Sequence, residues 1–326
     1  MINITEAPVS GANSYVQYGW ETTFGTEAGT IDKAFGHNQK ITVTKNRNWS
    51  LNWGLGDFDA QTAVSGKFTG TVVVEFDLAS SYFWKAVMGK VTDSTDGDSK
   101  THTYSDNTSN AITSITIEYG VDLDTDNVYK LLGCVLNTCE LTAREGEAVH
   151  VRLTFDYADE TKATSGLDAS PATDSEAILT YAEGALEIPD GTAIARVNEF
   201  VLTVIRNPEI KFGLGSATGT HAVWRNREWR FRMSMTYEND DMVEDFYGGS
   251  TTPVDTIPAG EASLELVFSN GGSGADLRKQ EIQLTTTYLE SLTERHNVKE
   301  TLNQDIVGFC LANTTVVGYD STTSTP

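Results

Sequence analysis

The sequence predicts a mainly β protein made of two tandem β-sandwich or partial-barrel domains, each with one short flanking helix. Three observations lead to this prediction: an internal repeat, long runs in which apolar and polar residues alternate, and few segments with helical periodicity. With 326 residues, the chain is long enough to give each of two domains its own core. Its 39% hydrophobic content is typical of a folded protein.

The internal repeat places residues 41–89 on residues 200–248 without a gap. Within it, Gly54-Leu55-Gly56 falls on Gly213-Leu214-Gly215, and most apolar residues fall on apolar residues. Chance seldom keeps an ungapped register over such a length. The repeat therefore indicates the duplication of a domain-sized unit.

Alternation of apolar and polar residues marks the strands, and the apolar members should face the core. These members are Val72, Val74 and Phe76 in the first copy, and Trp229, Phe231, Met233 and Met235 in the second. Further strands are predicted at 115–119, 133–143, 148–157, 263–269, 279–289 and 306–318.

Helices are predicted only at 78–88 and 239–247, which occupy equivalent places in the two copies. Gly89 and Gly248 follow them directly, and glycine at this position commonly ends a helix.

Composition and the repeat together divide the chain. An N-terminal arm is expected at 1–35, a first domain at 36–158, a connection at 159–192, and a second domain with a C-terminal tail at 193–326. The connection is rich in small and polar residues and contains a possible short strand at 177–182. Residues 91–111, inside the first domain, are predicted to form a polar loop without a full counterpart in the second.

The net charge of −23 and the pI near 4.5 argue against a nucleic-acid-binding protein, because such a surface repels phosphates. Sparse lysine and abundant acidic residues also fit a protein from a high-salt cytoplasm, where repulsion is screened. We expect no secretion signal and no membrane span, and synthesis in the cytoplasm.

Motifs that carry chemistry are missing from the sequence. The five histidines do not stand at ligand spacing from one another or from cysteines, and the sequence has no HExxH, GxSxG or Walker A pattern. Cys134, Cys139 and Cys310 are expected to act as small buried apolar residues. No enzyme activity, metal or cofactor is predicted.

A cluster of arginines lies in the second copy at Arg225, Arg227, Arg230 and Arg232. Arg230 and Arg232 should face away from Trp229 and Phe231, which go to the core. Ion pairing with carboxylates of a neighbouring subunit or domain is the favoured interpretation, and a stacking strip for nucleic acid is the alternative.

Two tryptophans, Trp49 and Trp53, lie in the long loop of the first copy, and Phe212 is the equivalent of Trp53. Large apolar residues in exposed loops usually mark a contact with another molecule. Packing back on their own domain is the open alternative.

The opening YGWETTFGT at 18–26 and the segment from SITIEYG to RLTFDY at 114–157 resemble the major tail tube proteins of tailed bacteriophages and archaeal viruses. The resemblance covers nearly the whole chain, and it is one of pattern. The acidic composition is in keeping with a haloarchaeal virus.

The resemblance implies sandwich or partial-barrel tube domains that join edge to edge into a ring, with six domains per ring around a DNA-wide lumen. Two domains per chain then predict a homotrimeric ring with pseudo-sixfold symmetry, located in the virion tail after synthesis in the host cytoplasm. It also implies contacts with the tape measure, the tail terminator and the baseplate or tip, while viral DNA passes without sequence-specific binding.

Candidate contact residues between rings or subunits are Trp49, Leu51, Trp53, Leu55, Ile210, Phe212, Leu214, Trp224, Arg225 and Arg227. Candidate lumen residues are Thr71, Val73, Glu75, Arg230 and Arg232. The alternative function is a tandem β-sandwich module that decorates a surface and binds a glycan or receptor through Trp49 and Trp53.

Overall fold

The computed structural model describes residues 14–96, 99–107, 112–122, 126–163, 166–188, 193–194, 196–237, 239–255, 262–296, 301–311 and 314–320. Residues 1–13 of the expected N-terminal arm and 321–326 of the expected tail lie outside the described residues.

Strands dominate this part of the chain. The strands of the first half are β1 (Tyr15–Trp20), β2 (His37–Asn46), β3 (Trp49–Asn52), β4 (Thr62–Ser65), β5 (Thr69–Asp77), β6 (Gly89–Asp96), β7 (Ser99–Asp106), β8 (Ile115–Val121), β9 (Asn127–Arg144), β10 (His150–Tyr157) and β11 (Asp159–Ala163). Those of the second half are β12 (Gly184–Glu187), β13 (Val197–Ile205), β14 (Pro208–Phe212), β15 (Gly219–Trp224), β16 (Glu228–Thr236), β17 (Ala262–Ser269), β18 (Lys279–Arg295), β19 (Asn303–Cys310) and β20 (Thr315–Asp320).

Two short α-helices lie within the described residues, α1 (Trp84–Met88) and α2 (Asp241–Phe246). The first is shorter than the predicted 78–88, because the backbone of Leu78 bonds to other segments. Its amide donates to Val149 O at 2.8 Å, and its carbonyl accepts from Leu179 N at 2.8 Å. Gly89 ends α1 with φ 95°, which confirms the predicted stop.

The strands pair in an order that recurs in the two halves. In the first half the order is β2-β5-β10-β9, and β8 also pairs with β9; in the second it is β13-β16-β19-β18, and β17 also pairs with β18. Antiparallel pairing of β9 with β13 joins the two halves into one large sheet. Along the described strands the sheet is open, with β2 and β6 at its ends, so it is no closed barrel.

One hydrophobic core lies against this sheet. Val72, Val74 and Phe76 are buried in it, as are the alternating apolar residues of β16, so the predicted inward faces are confirmed. The two halves share the core, since the rings of Trp84 and Trp229 stack with centroids 6.5 Å apart. The three cysteines are free and buried, as expected.

The expected connection at 159–192 contains ordered strands. β11 pairs with β9, and β12 pairs with β17. The predicted short strand at 177–182 is reduced to an isolated antiparallel bridge between Thr180 and Ala148. Residues 181–183 form a 3-10 turn there, because Glu183 Oε2 accepts from Thr180 N at 2.7 Å and from Thr180 Oγ1 at 3.0 Å.

The predicted polar loop at 91–111 is also wrong in its main part. β6 and β7 form a hairpin, and β7 extends the sheet by pairing with β20 of the second half. The backbone groups of this polar segment are thus satisfied by a neighbouring strand that lies far away in sequence.

Candidate functional site

Among the unpaired strand edges in the part of the chain that the structure describes, two have counterparts that are paired inside the chain. One is the outer edge of β2, which pairs only with β5. The other belongs to residues 288–295 of β18, which pair only with β19. An unpaired edge presents a row of free N–H and C=O groups, and proteins either cover such an edge or use it for association.

The counterparts of these two edges are paired with each other inside the chain. β13 is the counterpart of β2, and residues 138–144 of β9 correspond to the free part of β18; Thr203 lies opposite Glu140 in this pairing. The equivalence of β9 and β18 extends to irregularities. A bulge interrupts β10 against β9 between Thr154 and Phe155, and a bulge at the same place interrupts β18 against β19 between Leu289 and Ser291.

Covering an edge changes the burial of its side chains. Phe200, Leu202 and Val204 of the covered strand β13 are buried. Ile41 and Val43 hold the places of Phe200 and Leu202 in β2, yet they are only partly buried. The bare edge therefore carries apolar side chains that a further strand would bury.

The cleft beside the bare strand β2 is larger than the cleft beside the covered strand β13. The cleft along β2 has a volume of about 1260 Å³ and is lined by Tyr15, Ile41 and Val43 among others. At the equivalent place beside β13 the cleft measures about 250 Å³, and Ala143 of β9 contributes to its wall. The cleft beside β2 thus has space at the place that β9 takes up beside β13.

The first hairpin, formed by β3 and β4, is the most exposed apolar element of the described chain. It contains four of the predicted contact residues, and all four are exposed: Trp49, Leu51, Trp53 and Leu55. The segment is a hairpin with an apolar surface instead of an irregular loop. Sequence reasoning missed two further exposed apolar residues of this hairpin, Phe58 and Val64.

The second hairpin, formed by β14 and β15, lies partly against the first half. Ile210 and Phe212 are half-buried, and Leu214 at its tip is fully exposed. The predicted contact residue Trp224 is half-buried instead, because the guanidinium of Arg206 lies over its ring at 3.1 Å from the centroid. Burial lowers the pKa of Arg206, and Arg227 nearby adds to this effect.

Within the described residues the four arginines pair with carboxylates, but pairing with another part of the chain, which the favoured interpretation expected, is seen at Arg227, while the others pair within the second half. Arg225 bonds Glu209 of the adjacent strand. Arg227 bonds both carboxylate oxygens of Asp106, which belongs to β7 of the first half. Arg227 thus contributes to the junction between the two halves.

The five candidate lumen residues lie on the face of the sheet opposite the core, and acidic and basic groups alternate there. Glu75 contacts Lys40 Nζ at 2.7 Å and Arg152 Nε at 3.3 Å, and the bond from Lys40 lowers the pKa of Glu75. Arg230 and Arg232 pair with Glu290 and Glu199 at 3.2 and 3.6 Å. Thr71 and Val73 are partly buried on this face.

The free edge of β18 and the exposed Leu311 that follows β19 were missed by sequence reasoning. The sequence does contain a signal for the correspondence of these two strands, because the repeat also aligns β9 with β18 once the different loop lengths are allowed. Which edge stays bare depends on pairing partners, however, and periodicity alone does not reveal them.

Groups of three or more residues suited to hold a metal ion do not occur in the described part of the chain. Within the same residues, no helix has the length and apolar character needed to cross a membrane.

Comparison with curated protein sequences gives no match. The sequence profile described as "Phage tail tube protein" matches residues 11–306, which is most of the chain. This family consists of structural proteins of the virion tail, which agrees with open strand edges and exposed apolar hairpins. The chain belongs to the phage tail tube protein family.

Proposed function

We propose that three copies of the chain form a ring with pseudo-sixfold symmetry, and that such rings stack into the tail tube through which the viral genome is delivered. Each chain would supply two tube domains, one from each half. The observation that carries the proposal is the pairing of β9 with β13, because it is a complete edge-to-edge junction between two equivalent units.

Transferring this junction to the free edges gives a specific register between chains. The pair Thr203 and Glu140 corresponds to Thr44 in β2 and Thr293 in β18. Residues 291–295 of one chain would therefore run antiparallel to residues 42–46 of the next, with Thr44 opposite Thr293. Both threonines are exposed in the single chain.

Burial supports this transfer. A strand from the next chain would cover Ile41 and Val43, as β9 covers the residues of β13, and its end would fill the cleft beside β2. Joining β2 of one chain to β18 of the next also covers both of these bare edges, which protects the assembly against unspecific association.

The stoichiometry combines the six tube domains per ring that the family resemblance implies with the two junctions per chain. One is internal and one lies between chains, so a ring of six tube domains needs three chains. A ring made by head-to-tail contacts closes, and its two different faces allow stacking in one direction into a filament.

Charge supports passage of DNA without tight binding. The chain carries a net charge of −23, and the two arginines on the proposed lumen face are paired with Glu199 and Glu290. Phosphates are therefore repelled by the overall field and meet few uncompensated cations. The proposed partners are the tape measure, the terminator and the baseplate or tip.

Disulfide trapping tests both the register and the number of chains. Thr44→Cys/Thr293→Cys should form disulfides between chains on mild oxidation, because directly opposite residues of antiparallel strands lie within disulfide distance. A non-reducing gel should show products of two and three chains, and none larger, since the third bond closes the ring. The native thiols are buried and should not compete.

The chain provides its own matched control. Glu140→Cys/Thr203→Cys places the cysteines at the equivalent internal junction, so it should form a disulfide without any increase in mass. Products that extend to six chains would contradict the trimer, and a purely monomeric Thr44→Cys/Thr293→Cys protein would contradict the ring. A monomer that binds a glycan through Trp49 and Trp53 would favour the surface-binding alternative.

A further inference from the structure

The second hairpin makes a contact in the single chain that the first hairpin lacks. It crosses the end of the first half, where Gly219 N donates to Ala158 O at 3.1 Å and Phe68 N donates to Ala217 O at 2.8 Å. The ammonium of Lys67 also lies 4.8 Å from the centroid of Phe212. Under this cover Ala158 is only 1% exposed.

Leu311 occupies the place of Ala158 in the second half. Ala158 follows β10, which pairs with the long strand β9, and Leu311 follows β19, which pairs with the long strand β18. Each of the two residues donates its backbone N–H to the long strand of its own half. Ala158 N donates to Leu132 O at 2.9 Å, and Leu311 N donates to Thr286 O at 3.0 Å. Leu311, however, is 64% exposed. The corner that is covered in one half is bare in the other.

The first hairpin carries the apolar surface that would fit this corner. By the register of the repeat, Phe58 and Ala60 correspond to Ala217 and Gly219. Phe58 is fully exposed, and Ala60 is exposed as well. Exposed apolar residues on this scale usually mark a contact surface.

We propose that the β3–β4 hairpin of each chain docks on the Leu311 corner of the next chain in the same ring, with Ala60 against Leu311 and Phe58 beside it. The proposal rests on the proposed ring, and its template is the contact between the second hairpin and Ala158. The occupant of the corner is a second copy of this chain. Both members of the new contact are larger than those of the template, where a Cβ on Gly219 would already lie 2.9 Å from Cβ of Ala158, so the docked hairpin must sit slightly further from the corner.

Charges at the base of the hairpin agree with this docking. In the template, Arg206 N donates to Asn137 O at 2.8 Å, at the bulge of β9. The equivalent residues are Arg47 and Glu290, and Glu290 is the bulge residue of β18. Arg47 of one chain would thus approach a carboxylate of the next, which already pairs with Arg230. Opposite charges at this point favour the correct partner edge.

Docking also separates two roles within the predicted contact residues. Leu214 stays fully exposed at the tip of the second hairpin although that hairpin is docked. Leu55 is its equivalent at the tip of the first and is fully exposed too. The sides of the hairpins therefore serve contacts within the ring, and the tip leucines remain free for the neighbouring ring.

A second disulfide pair tests the docking. Ala60→Cys/Leu311→Cys is made in a Cys310→Ala background, so that no neighbouring thiol competes. A Cβ built on Gly219 would lie 2.9 Å from Cβ of Ala158, which is closer than the about 3.5–4.5 Å of a disulfide. The equivalent Cβ atoms of Ala60 and Leu311 should therefore reach disulfide distance when the hairpin sits slightly further from the corner than in the template. Oxidation should give products of two and three chains. An equal mixture of the two single-cysteine proteins should give the two-chain product alone.

Leu55→Cys/Leu311→Cys is the matched control, since the tip lies away from the corner, and it should give several-fold less product within isolated rings. The docking is overturned if Ala60→Cys/Leu311→Cys stays monomeric, or links within one chain, while Thr44→Cys/Thr293→Cys still forms its closed three-chain product. Failure of both pairs would overturn the ring and the docking together.

Discussion

Trp84 of α1 donates a hydrogen bond from Nε1 to Oε1 of Gln280 in β18, at 3.0 Å. Both residues are buried, and they belong to different halves of the chain. The helix of the first half is thereby fixed on a long strand of the second. The two halves share a core, so we expect them to unfold together.

Replacement of Trp84 by alanine should lower the free energy of unfolding by about 3–5 kcal/mol, the usual cost of emptying a buried aromatic site. Urea denaturation followed by circular dichroism should show one transition for both halves in the wild type. Trp49→Ala is the matched control, because Trp49 is exposed, and it should change the stability by less than about 0.5 kcal/mol. Two separated transitions would contradict the shared core.

A buried histidine should make stability depend on pH. His102 Nδ1 lies 2.8 Å from Asp93 Oδ1, and Nε2 lies 3.3 Å from Asp320 Oδ1. Burial lowers the pKa of His102, but the bonds and charges of Asp320 and Asp93 outweigh burial and raise it above 6.5. Since the folded pKa exceeds the unfolded one, the contribution is complete below pH 6.5 and is lost as pH rises through the raised pKa.

His102→Asn removes this contribution and provides the comparison. The thermal midpoint of the wild type should exceed that of the variant by more at about pH 6 than at about pH 9, by an amount that calorimetry can measure. Subtracting the midpoint of the variant from that of the wild type at each pH removes the effect of the other acidic groups, because these groups titrate in both proteins. An equal difference at the two pH values would show that the His102 ion pairs do not contribute.

Salt should stabilise both the chain and the assembly. The net charge of −23 repels itself and the neighbouring copies, and the screening length falls from about 10 Å at 0.1 M to about 3 Å at 1 M salt. The thermal midpoint and the fraction of stacked rings should therefore rise between 0.1 and 1 M KCl. The triple variant Asp59→Asn/Glu145→Gln/Asp255→Asn should show a weaker rise, and an equal rise would refute charge repulsion as the cause.

Substitution at the hairpins should separate stacking from ring closure. Leu55→Asp/Leu214→Asp puts six charges on the tips of a three-chain ring and should block tubes while rings remain, as seen by negative-stain microscopy. Phe58→Asp should instead weaken the ring itself, by at least about tenfold in the dissociation constant. Intact tubes from the tip variant would exclude the leucines from stacking.

Much of the fold could be predicted from the sequence because local patterns carry it. Alternation in 72–76 and 229–235 predicts the buried face of β5 and β16, and the structure confirms both. The sequence left open whether Trp49 and Trp53 pack back on their own domain, and the structure shows that both are exposed. Helix length was overestimated at 78–88, since distant strands bind the backbone of Leu78.

Partners across long sequence distances could not be predicted in this way. The strands β7 and β20 pair although neither has a pattern that specifies the other, and the pairing places the buried His102 opposite Gly318 and beside Asp320. The contrast between Ala158 and Leu311 likewise depends on the second hairpin, which reaches the first half and leaves the second uncovered.

By itself, the sequence determined the β class, the repeat, the acidic surface and the inward faces of the strands, because these depend on residue type and on periods of two along the chain. Only the tertiary structure decided which strand edges are covered. β13 is covered by β9, while β2, which the repeat aligns with β13, has β5 as its one strand partner among the described residues. That difference depends on hydrogen-bond partners in space, and it defines the surface from which the assembly is inferred.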